Sequence, residues 1–91
     1  MARWMVVGRF YGKADDCLVP VMHNVGDVID YSTGTASTAL APLDAAARAQ
    51  RDAHRSLLQN QGLTAQWDLA YLRNLSNLNA RQRQTVDAAA A

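Results

Sequence analysis

The hydrophobic rhythm of the chain changes once. From Arg3 to Tyr31, β-branched and aromatic residues alternate with polar ones; from Leu43 onward, alanine, leucine, arginine and glutamine recur at helical spacing. Between them lies Ser32–Pro42, a stretch of small, uncharged residues without a period. The pattern predicts an α+β chain in three parts: a β meander or arm over 1–31, a flexible small-residue connector over 32–42, and a helical region over 43–91.

Three strands are expected in the first part. Arg3 to Tyr11 sets Trp4, Val6 and Phe10 on one side and Met5, Val7 and Tyr11 on the other, with Gly8 marking a bulge or a close backbone approach. Gly12-Lys13-Ala14-Asp15-Asp16 reads as a turn. Cys17 to Met22 reads as a second strand, confined to an edge or broken by Pro20. After a turn at His23-Asn24-Val25-Gly26, Gly26-Asp27-Val28-Ile29-Asp30-Tyr31 supplies the third. A strand that is apolar on both faces needs cover on both, and so short a chain has little left to give.

The helical part reads as a hairpin with a short third helix. Pro42 suits a first helical position, Asp44 the positive end of the helix dipole, and Gly62 the left-handed position after the last turn. Leu43, Ala46, Ala47, Gln50, Ala53, His54, Leu57 and Leu58 share one face of the first helix, and Arg48, Arg51, Asp52 and Arg55 the other. Thr64 is placed to cap the second helix, over Ala65 to Leu75. That helix is apolar nearly all round, with Leu69, Leu72 and Leu75 on one side and Trp67 and Tyr71 opposite. Asn79 and Gln82 have capping-box spacing and open the third helix.

Composition narrows the function classes. Hydrophobic residues make up 49% and charged ones 19%, which argues against intrinsic disorder. A net charge of +1 gives no strong field toward nucleic acid or an anionic membrane. The start of the chain has no signal-peptide layout, and no apolar run reaches the ~18 residues of a membrane span. The single cysteine, Cys17, excludes an intramolecular disulfide.

Catalytic and cofactor signatures are missing from the sequence. Cys17, His23 and His54 have neither the number nor the spacing of a zinc site. Asp15, Asp16, Asp27 and Asp30 lack the alternation of a calcium loop, and Gly8 and Gly12 match no phosphate-binding motif. No enzyme and no cofactor are therefore expected. The arginine face of Arg48, Arg51 and Arg55 leaves open a small DNA-binding or regulatory protein. Against it, the chain from residue 41 carries six arginines but also four aspartates. An inhibitory module acting on a partner is a third possibility.

The Val25–Asp30 strand, the small-residue connector and the helix opening Ala41-Pro42-Leu43-Asp44-Ala45-Ala46-Ala47 together resemble small accessory proteins of tailed-phage virions, of the capsid cement or decoration and the head–tail or tail connector type. The resemblance implies a non-enzymatic virion subunit, made in the host cytoplasm and docked in many copies on a capsid, connector or tail protein. Strand addition and apolar contacts would hold it, and homo-oligomers are expected. The expected interface comprises Trp4, Val7, Phe10, Tyr11, Ile29 and Tyr31 from the β part and Trp67, Tyr71, Leu72 and Leu75 from the second helix.

Overall fold

The computed structural model describes residues 2–32 and 36–90. Strands β1 (Arg3–Val6), β2 (Phe10–Gly12), β3 (Val21–His23), β4 (Val28–Asp30) and β5 (Leu40–Pro42) precede helices α1 (Ala45–Asn60), α2 (Thr64–Leu75) and α3 (Ala80–Ala90). The chain is α+β, with its strands first and its helices last. A five-strand arrangement replaces the three-strand meander. β1 is the centre of an antiparallel sheet in the order β4-β1-β5, while β2 and β3 form a separate two-stranded ribbon.

The long first strand divides at Gly8. A Cβ on Gly8 would sit 3.0 Å from the side chain of Asn74, so this is the close approach that the glycine signalled. Two asparagines fix the break. Asn77 Nδ2 donates to the Val7 carbonyl at 3.0 Å, and Asn74 Nδ2 donates to the Thr38 carbonyl at 2.9 Å. Beyond the break the chain leaves the sheet and enters the ribbon. The second strand is shorter than expected, because β3 starts only after Pro20.

The connector needs a larger correction. Thr33, Gly34 and Thr35 lie outside the described residues, but Leu40–Pro42 is strand β5 and is buried at all three positions. Pro42 opposes Trp4 at the end of the ladder instead of opening the helix. Its missing N–H costs nothing there, since the next donor, Leu43 N, bonds the Arg3 carbonyl at 2.8 Å. Asp44 then performs two tasks: Oδ1 accepts from Ala47 N at 2.8 Å as the N-cap of α1, and Oδ2 accepts from Arg3 N at 3.0 Å. One carboxylate thus ties the first helix to the first strand.

Both faces of β1 are covered from within the chain. Ala2, Trp4 and Val6 pack with Leu40, Ala36 and Ala47 of α1, flanked by Phe10, Ile29, Tyr31 and Trp67. Met5 and Val7 pack on the other face with Ala41, Leu75 and Val86 of α3, flanked by Leu43, Tyr71 and Leu78. The expectation that a neighbour must cover this strand is overturned. Small residues in β5 and α1 let the layers approach closely, so few side chains suffice. The radius of gyration, 12.4 Å, is close to the ~12 Å of a compact domain of this length.

Helix ends follow local chemistry with one exception. At the end of α1, Gly62 has φ 73°, its N–H bonds the Gln59 carbonyl at 3.1 Å, and Leu63 N bonds the Leu58 carbonyl at 2.9 Å. That double closure is the Schellman pattern. Asn79 and Gln82 exchange side-chain-to-backbone bonds of 3.0 and 2.8 Å, completing the capping box of α3. Thr64 does not cap α2. The Leu63 carbonyl already accepts from Trp67 N at 3.1 Å, so Thr64 is the first helical residue and its hydroxyl is buried without a partner.

Candidate functional site

Helix α2 turns Trp67 and Tyr71 toward the protein and Leu69 and Leu72 to solvent, while Leu75 at its end is buried in the core. Trp67 and Tyr71, one turn apart, stack with ring centres 5.6 Å apart and 15° between planes. His54 of α1 meets Trp67 edge-on at 6.3 Å. Beside them Arg55 Nη2 bonds Asp68 Oδ2 at 2.8 Å, pinning α1 to α2. Arg51, Arg55, Trp67, Asp68, Tyr71 and Leu72 line a groove of about 300 Å³ between the helices. Burial pushes the Tyr71 hydroxyl above its ordinary range, an effect that Arg51 and Arg83 partly offset.

The groove combines a planar apolar surface with guanidinium groups at its side. Its lining side chains include no nucleophile paired with a base, and what they offer is a seat for an apolar side chain next to an anionic one. Leu72, among the lining side chains, is exposed, and so are Leu69 of α2 and Leu57 of α1 away from the groove. Among the described residues, Arg51 is held only by long contacts of 3.3 and 3.4 Å to Asp52.

A second apolar surface lies on the β2–β3 ribbon. Tyr11 and Met22 oppose each other across it and both are exposed. In the loop leading to β3, Leu18 is 94% exposed and Val19 61%. The root of that loop is fixed. Asp15 Oδ1 and Oδ2 accept from the backbone and hydroxyl of Ser32 at 3.0 and 2.6 Å, and Asp15 N bonds the Asp30 carbonyl at 2.7 Å. The two Ser32 bonds hold the Asp15 carboxyl below its ordinary range.

The residues expected at an interface fall into three groups. Trp4 and Val7 are fully buried and Leu75 nearly so, inside the chain's own core, so in this fold they present no surface to a partner. The Trp4 indole N–H donates to the Tyr31 carbonyl at 2.9 Å, which satisfies its one polar atom internally. Phe10, Ile29 and Tyr31 are half-buried around it, with Phe10 and Tyr31 in edge contact at 5.3 Å. Trp67, Tyr71 and Leu72 come together at the groove, and Tyr11 is exposed on the ribbon.

The arginine face is not an open basic surface. Arg48 Nη1 donates to the Ala89 carbonyl near the end of α3, Arg55 pairs with Asp68, and Arg51 leans on Asp52. The inward stripe of α1 is rotated from the expected one: Ala46, Ala53 and Leu57 are exposed, while Arg48, Arg51 and Arg55 are half-buried. Asp68 on α2 draws Arg55 inward and the Ala89 carbonyl on α3 draws Arg48, and their long aliphatic stems serve as packing surface.

Cys17, His23 and His54 are dispersed. Cys17 is half-buried in the loop; His23, in β3, lies 3.3 Å from the Gly12 carbonyl and stacks on Phe10; His54 rests on Trp67. Among the described residues, no group of three His, Cys, Asp or Glu is placed to hold a metal ion, and no helix is long and apolar enough to cross a membrane.

Leu18, Val19 and Met22 were not singled out as interface residues from sequence. Their signal was the proline within Leu18-Val19-Pro20-Val21-Met22, which leaves an apolar run unable to pair on both sides. Leu57 and Leu69 were hidden by helical periodicity, which shows that a face is apolar but not whether it is covered. Comparison with protein-family models, with curated proteins and with solved structures finds no match.

Proposed function

We propose that this chain is a non-enzymatic structural subunit of a viral particle, docking in multiple copies on a capsid or tail lattice. One observation carries the reading: the core of the fold is filled, yet large apolar side chains remain outside on two surfaces. Leu69 and Leu72 lie one turn apart on α2, with Leu57 exposed on α1; Tyr11 opposes Met22 on the ribbon, and Leu18 adjoins Val19 in its loop. Grouped apolar exposure of this kind marks surfaces that other molecules cover. Strand addition fits the β2–β3 ribbon, which has an unpaired edge on each side among the described residues, whereas β1 already has both its neighbours. The virion setting comes from the sequence resemblance alone, over Val25–Asp30 and the small-residue stretch that runs into Ala41–Ala47.

The test is sedimentation of native source material on a density gradient, with the chain quantified by mass spectrometry in every fraction. Co-migration with large particles, at many copies per particle, is the expected result. Recovery of the chain solely among small free proteins overturns the reading.

A further inference from the structure

We infer that successive copies join head to tail, with the Asp16-Cys17-Leu18-Val19 tip of one copy seated in the α1–α2 groove of the next. The inference rests on the assembly reading and names the contact that would build the assembly. Leu18 is the most exposed large apolar side chain among the described residues, on a loop whose root is locked by the Asp15–Ser32 bonds and followed by Pro20. A tip fixed in this way loses little freedom on docking. The groove supplies what such a tip needs. Trp67, Tyr71 and Leu72 offer apolar surface for Leu18, and about 300 Å³ admits one side chain of its size.

Charge selects the orientation. Asp15 is already engaged by Ser32, whereas Asp16 is exposed and its carboxylate has, among the described residues, only a 3.8 Å contact from its neighbour's thiol. In the groove Asp68 is taken by Arg55, while Arg51 has, among the described residues, only the long contacts to Asp52 and can turn to a new carboxylate. Asp16 beside Arg51 thus places an acid against a base as Leu18 enters. Tip and groove are different surfaces of one chain, so the contact is heterologous. It repeats from copy to copy and closes only as a ring.

The experiment uses three proteins in sedimentation velocity from micromolar to near-millimolar concentration: the wild type, Leu18→Arg with a broken tip, and Leu72→Arg with a broken groove. Circular dichroism checks that each variant is folded. Both substitutions are at exposed positions, and Arg51→Asp replaces Leu72→Arg should the latter unfold. The wild type should grow in sedimentation coefficient with concentration, and each variant alone should associate at least about tenfold more weakly. An equimolar mixture of the two should form a 1:1 pair and stop there, since one intact tip meets one intact groove.

A wild type that stays monomeric throughout overturns the inference, as do variants that associate like wild type or a mixture that forms no pair. A wild-type monomer that nonetheless co-sediments with particles would leave the assembly reading standing and remove only this contact.

Discussion

Asn77 and Val7 are 70 positions apart, and the side-chain amide of one donates to the backbone carbonyl of the other at 3.0 Å. Val7 is fully buried where β1 ends, so its carbonyl has no ready access to water. Asn77→Ala should therefore leave a buried acceptor unpaired and lower stability by about 1–3 kcal/mol. Asn77→Asp should behave similarly, because an ionised carboxylate has no hydrogen to donate. Urea unfolding checks both: the midpoint falls while the slope stays constant. A wild-type midpoint for either variant would mean that this bond does not hold the end of the strand.

Two glycines with positive φ should differ in how badly they tolerate alanine. Gly62, at φ 73°, has nothing near the position of a Cβ, so Gly62→Ala carries only the left-handed backbone cost of about 1–2 kcal/mol. Gly26, at φ 95°, would also drive its Cβ into the Gln82 side-chain amide. Since Gln82 Oε1 accepts from Asn79 N at 3.0 Å, moving that side chain disturbs the cap of α3 as well. Gly26→Ala should cost about 1 kcal/mol more than Gly62→Ala. In a Gln82→Ala background the excess should vanish, and a double-mutant cycle on unfolding free energies measures that coupling.

What could be read from the sequence was local. The Gly62 closure, the Asn79–Gln82 box and the alternation of Trp4 and Val6 against Met5 and Val7 each depend on residues within a few positions of one another. What could not be read was pairing. Leu40-Ala41-Pro42 has little strand character, and it becomes β5 because it pairs with Trp4, Met5 and Val6 of β1 and is buried under α1 and α3. The same limit explains the candidate site. Helical period grouped Trp67 with Tyr71 and Leu69 with Leu72, but the position of α1 and the sheet decides which pair faces inward. Helical period put Arg48 and Arg55 on the polar face of α1, but their acceptors, the Ala89 carbonyl and Asp68, lie on other helices.

The Asp15–Ser32 contact predicts an acid-dependent step. Bonds from the Ser32 hydroxyl and backbone lower the Asp15 carboxyl in the folded chain from its ordinary value of 3.8. A lowered acid contributes stability that is fully present above that value and is lost as pH falls through the lower, folded one. Ser32→Ala removes the larger of the two bonds. The Asp15 titration followed by NMR should then move back up toward 3.8, and the stability profile below about pH 4 should flatten. An unmoved titration would show that the backbone bond alone sets it. The same variant should loosen the root of the Leu18 loop, visible as faster amide exchange over residues 14–17.

Tyr71 predicts the opposite limb. Its hydroxyl is raised from 10.0 chiefly by burial beneath the groove, while Arg51 and Arg83 pull it back and Asp87 adds to the rise. In the unfolded chain tyrosine ionises near 10.0, whereas the folded protein keeps the proton to higher pH. Folding stability from this residue is therefore intact below pH 10 and declines as pH rises above it. Tyr71→Phe should abolish that alkaline decline while keeping the stack on Trp67, and so leave stability at neutral pH within about 1 kcal/mol of wild type. Arg51→Gln should shift the tyrosinate absorbance midpoint further upward, because it removes the larger of the two offsetting charges. Denaturant midpoints measured from pH 7 to 11 on these proteins test the claim. An alkaline decline that survives in Tyr71→Phe would assign it to another group.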